Sequence, residues 1–493
     1  MKKNFLCLSP QRTLRVILLA LTLSSEAAKP AHPVYPELEL LITSPRVVDS
    51  PAAHYPGDWS FGTLMERTFG EKLAPSVVRS WLLSYDFTQK IATYDVPARE
   101  KARRLLIEPW QKADGFTGSH SLEWRPDFKN APFQLLAIVN RQDVGIIQPN
   151  TSSSSTEYYN TSGSAGELRF VYGVTDQEGQ PLLGGMTIIL EFRSGFIDFF
   201  GKDVASAPER RQMLLHELAL EWHHLGRRGQ IDKIYLEELA QLTNILTTPL
   251  FGERAPTPLG QKPLGDDYIE STCDQPAAFG FSRLQALGVP GTQALLRIRT
   301  NDNALGAGRE FRQFNIHEWG ILPAPVSASP AQDFWDEGSS AHQKLVKYFK
   351  QAEPSAAFLP TELEVDGTVV PVLGGHSLVM PHQEDIAWRA DRLSAQTRRK
   401  ISLNSCIGCH GSETNSSGFH IAPRLNYVPS LLSDFLASTD ERKTTKDPVS
   451  NERYTQKGEL ARRISIQEEL LKKRNIRSNR FAKLRSNQEL APH

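Results

Sequence analysis

Cysteine is scarce in this chain: four in 493 residues, too few for a disulfide framework to hold a fold of this size. Cys406 and Cys409 stand together, whereas Cys7 and Cys273 stand far from them and from each other. Neither sign of charge is in excess, since 56 Lys and Arg face 56 Asp and Glu; no overall field recommends nucleic acid or an anionic membrane as a partner. No apolar run reaches the roughly 20 residues a bilayer-spanning helix needs. A fixed-period repeat is also missing, which argues against solenoids and propellers. Nucleotide and acyl-transfer signatures are absent as well: there is no P-loop, dinucleotide fingerprint or G-x-S-x-G elbow. Methionine is limited to Met1, Met65, Met186, Met213 and Met380, so none follows residue 380.

What remains is a composition of 40% hydrophobic and 23% charged residues, that of a globular protein with two to four domains. Lys2, Lys3, Arg12 and Arg15 precede the apolar run Val16 to Leu23, and small residues follow it. That layout predicts a secretory signal peptide over residues 1–27 and an exported, periplasmic mature chain without a transmembrane segment. Cys7 precedes the apolar run, so it is not placed as a lipoprotein acceptor and is expected to leave with the signal.

Residues 28–127 carry helical punctuation and predict a helical N-terminal region. Over 128–325 the pattern changes to short β-rich runs: Phe133 to Val139, Leu168 to Val174, Met186 to Phe192 and Leu295 to Arg299. Two helices interrupt them, near 209–225 and 232–246, the first with Leu214, Leu218, Trp222 and Leu225 on one stripe. The Ser/Thr/Gly-rich stretch 150–166 reads as a surface loop. Proline-rich sequence after Leu322 marks a boundary, and 326–475 is expected to be mainly helical. The basic tail 476–493 reads as solvated. The fold class predicted is α+β, with a mixed or antiparallel β core.

The most specific chemistry lies at Cys406-Ile-Gly-Cys409-His410, the Cys-x-x-Cys-His pattern of covalent haem attachment. Two thiols add to the two haem vinyl groups, the two-residue spacer lets them reach both, and the following histidine coordinates iron. Chance placement of so few cysteines and histidines yields such a match on the order of 0.001 times per chain. The motif predicts one covalent haem c, with Cys406 and Cys409 as thioether anchors and His410 as proximal ligand. Three other chemistries compete: a zinc site built from Cys406, Cys409, His420 and a further histidine, a redox dithiol, or a disulfide.

With no downstream methionine, His420 is the nearest distal donor, and its alternative is to bond a propionate or a backbone carbonyl. His376, Met380 and His382 are more remote candidates, and an open iron position would instead make the chain a peroxidase-like enzyme or a small-ligand sensor. A helix over Asp385 to Leu403 is expected to lead into the motif, with its arginines largely off the apolar face. A further helix from Glu459 to Lys473 is expected to pack on it. Arg424 and the upstream arginines are either propionate contacts or merely solvated. A third reading makes the chain a structural or interaction protein whose C-terminal segment is held by haem or zinc.

Elsewhere the signals are weaker. His216-Glu-Leu-Ala-Leu-Glu-Trp-His-His224 fails as a zinc-protease motif because Leu220 occupies the second histidine position, and a polar helix surface is expected there. Asn140, Arg141, Asp143, Glu167, Arg169, Glu191 and Arg193 flank the β runs and are read as structural ion pairs rather than pocket residues.

The segments Pro132 to Asp143, Gly166 to Gly173, Gly308 to Phe314, Ile401 to Thr414, Phe419 to Arg424 and Leu460 to Arg463 resemble an uncharacterised family of exported bacterial proteins with a C-terminal cytochrome c-like segment. The resemblance implies that the β-rich part and the haem segment belong together and favours a haem-linked role for His420. It names no substrate; the haem motif itself is what predicts one-electron transfer at the iron, with an unknown redox partner protein.

Overall fold

Alternation of apolar and charged residues in the strand segments has one consequence. A sheet built from them buries one face among apolar side chains and leaves the charges on the other. In the computed structural model, which describes residues 33–50, 59–118, 121–146, 165–194, 208–247, 295–317, 320–351, 359–379, 387–390, 393–403, 405–416 and 418–472, such a sheet forms. Its eight strands are β1 (Leu41–Ile42), β2 (Phe133–Arg141), β3 (Glu167–Val174), β4 (Met186–Arg193), β5 (Leu295–Asp302), β6 (Arg309–His317), β7 (Gly320–Ala324) and β8 (Ser377–Val379). They run in the order β1-β2-β3-β4-β5-β6-β8, with β7 also paired to β6. Every pairing is antiparallel.

Leu168, Phe170 and Tyr172 of β3, Ile188, Leu190 and Phe192 of β4, Ile298 of β5 and Phe314 of β6 point into the main core. Against them pack α1 (Phe61–Phe69), α2 (Ala74–Leu83), α3 (Pro208–Gly226) and α4 (Lys233–Thr247), through residues such as Leu64, Trp81, Trp222 and Leu239. Ser60 starts α1 by accepting the amide of Thr63. On α3 the predicted stripe is seen at Leu218, Trp222 and Leu225. The polar surface expected there is not: His216 and His223 are buried, and they bond Leu470 O at 2.7 Å and the Glu39 carboxylate at 3.2 Å.

The opposite face carries Glu167, Arg169 and Val171; Thr187, Ile189, Glu191 and Arg193; Arg297, Arg299 and Asn301; and Arg309 and Phe311. Register alternates the charges, setting Glu167 opposite Arg193, Arg169 opposite Glu191 and Glu191 opposite Arg297. All of these charged side chains are buried, because the C-terminal third of the chain lies across this face. Cys406 packs with Phe311, Val326 and Val379, and Ile421 and Leu436 pack with Val139 and Val171.

That C-terminal third departs from the mainly helical expectation. It supplies α5 (Ser340–Gln351), α6 (Ala395–Leu403), α7 (Cys406–Cys409) and α8 (Glu459–Leu471), but also two hairpins, 362–371 and 443–456, and strand β8 of the sheet itself. Helix α6 is shorter than expected because Ser394 caps it, its hydroxyl accepting the amide of Thr397 at 3.2 Å. Upstream, Trp388 is pinned outside the helix, its indole N–H donating to Phe334 O at 3.2 Å. The arginines of α6 are not solvated: Arg398 and Arg399 are both buried. Helix α8 docks on α3 rather than on the helix leading into the motif, with Gln467 Nε2 donating to Ala219 O at 2.9 Å.

The signal segment with Cys7, Cys273, residues 150–164, Met380, His382 and the tail 476–493 lie outside the described residues. Among the described residues no helix is long and apolar enough to cross a membrane.

Candidate functional site

Local sequence shapes the turn that presents the cysteines. The Ser405 hydroxyl accepts the amide of Gly408 at 3.0 Å, and Cys409 and His410 donate their amides to Ser405 O and Cys406 O, closing one helical turn. Position 408 requires glycine, since a Cβ there would lie 2.2 Å from Ser402 O. The Cys406 amide donates to Ser329 Oγ at 3.0 Å, tying the turn to the segment after β7. Arg398 bonds Glu413 and Asp447, and Arg399 Nη1 donates to Glu413 O at 2.7 Å, so α6 and the residues after the motif are clamped together. Both thiols are buried and unjoined.

His410 Nδ1 lies 2.8 Å from Gly418 O. A carbonyl only accepts, so the proton sits on Nδ1 and the lone pair on Nε2, the arrangement of a metal-ligating imidazole oriented from behind. Gly418 turns its carbonyl inward at φ +104°, a conformation that favours glycine, and Asn301 Nδ2 donates to the same oxygen at 2.8 Å. The His410 ring stands between Phe311, at a centroid distance of 4.8 Å, and His420, at 4.3 Å. His420 Nδ1 is 2.7 Å from Ser433 Oγ, and its Nε2 is 3.3 Å from Cys409 Sγ.

Burial sets the protonation of these groups. It lowers His410 well below the usual histidine value, reinforced by the neighbouring His420, and it lowers His420 to about 4. Both rings are neutral at pH 7, the form that binds metal. Burial pushes the Cys406 thiol up to about 11 and the Cys409 thiol higher still. Reactive redox dithiols instead sit where a thiolate is stabilised. The βαβ setting of such dithiols is also missing, because the sheet beneath is antiparallel.

A cleft of about 530 Å³, counted out to bulk solvent, opens beside the two rings. Val139, Val171, Ile189, Phe419, Ile421 and Leu436 give it apolar walls, and Arg141, Arg169, Arg463, Thr187 and Asn301 complete the lining.

The structure thus brings Cys406, Cys409, His410 and His420 together. It does not bring His376, whose Nδ1 is 2.5 Å from Glu310 Oε1. Arg424, a candidate propionate contact, instead pairs with Asp49 at 2.6 Å. Near as Cys406, Cys409, His410 and His420 lie, among the described residues no group of three or more His, Cys, Asp or Glu is placed to hold a metal ion. The chain matches no protein-family model, no curated protein and no solved structure.

The residues present do fit haem c. The macrocycle brings four nitrogens of its own, so the protein needs only two thiols, one or two imidazoles and an apolar slot with cations for the propionates. If His410 and His420 were both to hold the iron, their contacting rings would have to part to admit it. Sequence reasoning missed Arg141, Arg169, Arg463 and Asn301 as cleft residues. Arginine at alternate positions of segments otherwise apolar enough for a core was the available signal.

Proposed function

We propose that this chain is an exported c-type haem protein carrying one covalent haem and transferring single electrons. One observation carries the reading: two buried, unpaired thiols of a Cys-x-x-Cys-His turn adjoin a histidine whose Nδ1–H is held by a backbone carbonyl. Cys406 and Cys409 would hold the group through thioethers, and His410 would ligate its iron through Nε2. His420, neutral and backed by Ser433, would hold the iron as a second imidazole ligand. Bound haem supplies an iron that alternates between ferric and ferrous states. The protein's part is to keep both imidazoles deprotonated at Nε2, to exclude water with Phe311, Phe419, Ile421 and Leu436, and to fix the ring of His410 through Gly418 O. The export reading rests on the charged and apolar layout of residues 1–27 and on the cytochrome maturation route, which attaches haem outside the cytoplasm.

The test is expression together with haem-maturation machinery, followed by a haem stain after denaturation. A stained band is expected, and an unstained protein containing stoichiometric zinc contradicts the reading. Spectra of the His420→Ala variant then assign the distal side. Loss of a six-coordinate spectrum, with new carbon monoxide binding, is expected, whereas an unchanged spectrum removes His420 as a ligand.

A further inference from the structure

Eight guanidiniums lie on or against the charged face of the sheet: Arg141, Arg169, Arg193, Arg297, Arg299, Arg309, Arg462 and Arg463. The carboxylates among the described residues of this layer are four: Asp143, Glu167, Glu191 and Glu459. A guanidinium buried in such a layer carries a desolvation cost that an anionic group beside it offsets.

Three arginines converge on the cleft: Arg141 of β2, Arg169 of β3 and Arg463 of α8 line it, and among the described residues no aspartate or glutamate does. Their ion pairs include Arg141 with Asp143 at 2.8 Å, Arg169 with Glu167 at 2.5 Å and Glu191 at 3.2 Å, and Arg463 with Glu459 at 2.8 Å, and none of these carboxylates lines the cleft. Arg463 is only 3% exposed, and its Nη1 is buried without a hydrogen-bond partner. A buried donor left in that state loses a hydrogen bond that an incoming acceptor restores.

Resting on the haem reading for what stands beside it, we propose that the wall formed by Arg141, Arg169 and Arg463 is a docking site for anionic oxygen groups, carboxylates above all. Guanidinium forks match the two oxygens of such a group and are weakly hydrated, which suits them to a partly closed cleft. Burial and the repulsion of Arg141 lower Arg463 to about 10 against the attraction of Glu459 and Asp143. Two sources supply this chemistry: the carboxylates of the haem itself, and a small oxyanion entering from solution beside the iron.

The experiment uses the full-length, haem-loaded chain and its Arg463→Gln, Arg463→Lys and Arg169→Gln variants. Midpoint potentials are measured by spectroelectrochemistry, and unfolding temperatures are compared in sodium phosphate and in sodium chloride of matched ionic strength. If the haem carboxylates are the anions, both glutamine variants lower the potential, Arg463→Lys restores it, and phosphate and chloride act alike. If the anion is separate, phosphate raises the unfolding temperature of the unmodified protein, and both glutamine variants weaken that effect at least about tenfold, one charged hydrogen bond's worth. Unchanged potentials together with no advantage of phosphate overturn the proposal. A haem-free preparation whose phosphate effect is lost in the variants keeps the anion site and removes the haem reading; a haem-free preparation with no phosphate effect overturns the anion site as well.

Discussion

The two faces of the sheet are equally buried and built from opposite materials. On one, Phe170, Leu190 and Phe314 meet four helices, and burial is itself the source of stability. On the other, Glu167, Arg169, Glu191 and Arg297 are buried beneath the motif, where each charge pays for its desolvation through its neighbours. The comparison separates the part that holds the fold from the part that serves the site. A face kept charged at such a cost points to a ligand that needs it.

The largest effects come from deleting one keystone on each face. Phe170→Ala is expected to destabilise by about 3–5 kcal/mol, through lost contacts and a cavity, in denaturant unfolding. Glu191→Ala is expected to cost a similar amount, about 3–5 kcal/mol, because Arg169, Arg297 and Arg299 lose their shared carboxylate. Acid separates the two. Burial raises the Glu191 carboxyl, but Arg169, Arg299 and Arg297 outweigh it and hold the group well below the usual carboxylate range. A depressed carboxyl stabilises the fold above its unfolded value and stops doing so as pH falls through the folded one. The deficit of Glu191→Ala should therefore shrink in strong acid while that of Phe170→Ala persists. Equal pH dependence of both would break the comparison.

A smaller effect belongs to the site itself. Burial lowers His420 from 6.5 to about 4, so stability is complete above pH 6.5 and falls progressively between 6.5 and 4, by about 3 kcal/mol at about 1.4 kcal/mol per unit. The stabilisation from Glu459, held down to about 2 by Arg462 and Arg463 against its burial, is lost at lower pH, between 4.5 and 2. Unfolding free energy of the haem-free chain measured from pH 7 to pH 3 should thus show a first decline to which His410 and His420 both contribute and which His420→Phe reduces. A decline unchanged by that variant removes the assignment. The smallest effect is Gly408→Ala, expected to cost about 1–3 kcal/mol by crowding Ser402 and to lower the yield of haem attachment without disturbing the sheet. Circular dichroism and the stained fraction together check it.

Much of the frame was legible in the residues. The four runs rich in β-branched and aromatic side chains became β2, β3, β4 and β5, and the stripe of Leu218, Trp222 and Leu225 became the inner side of α3. Period-two alternation shows which side chains share a face, but nothing in it tells what covers that face. The cover comes from far along the chain, as in Asn301 to Gly418 and Arg424 to Asp49, and such pairings leave no local trace. The same reason hides the docking of α8 on α3. At the site, Cys406, Cys409 and His410 could be singled out because the pattern they form depends on spacing, and His420 because it is the nearest downstream donor. Arg141, Arg169 and Arg463 were not, because they meet only when three distant elements close on one cleft.

The most direct measurement is the intact mass of the denatured protein after expression with haem-maturation machinery, alongside Cys406→Ser/Cys409→Ser. One haem bound through both thiols predicts a mass greater than the polypeptide by one haem, lost in the double variant while the circular dichroism of the sheet is retained. A mass equal to the polypeptide alone, whether or not zinc co-purifies, would contradict the account.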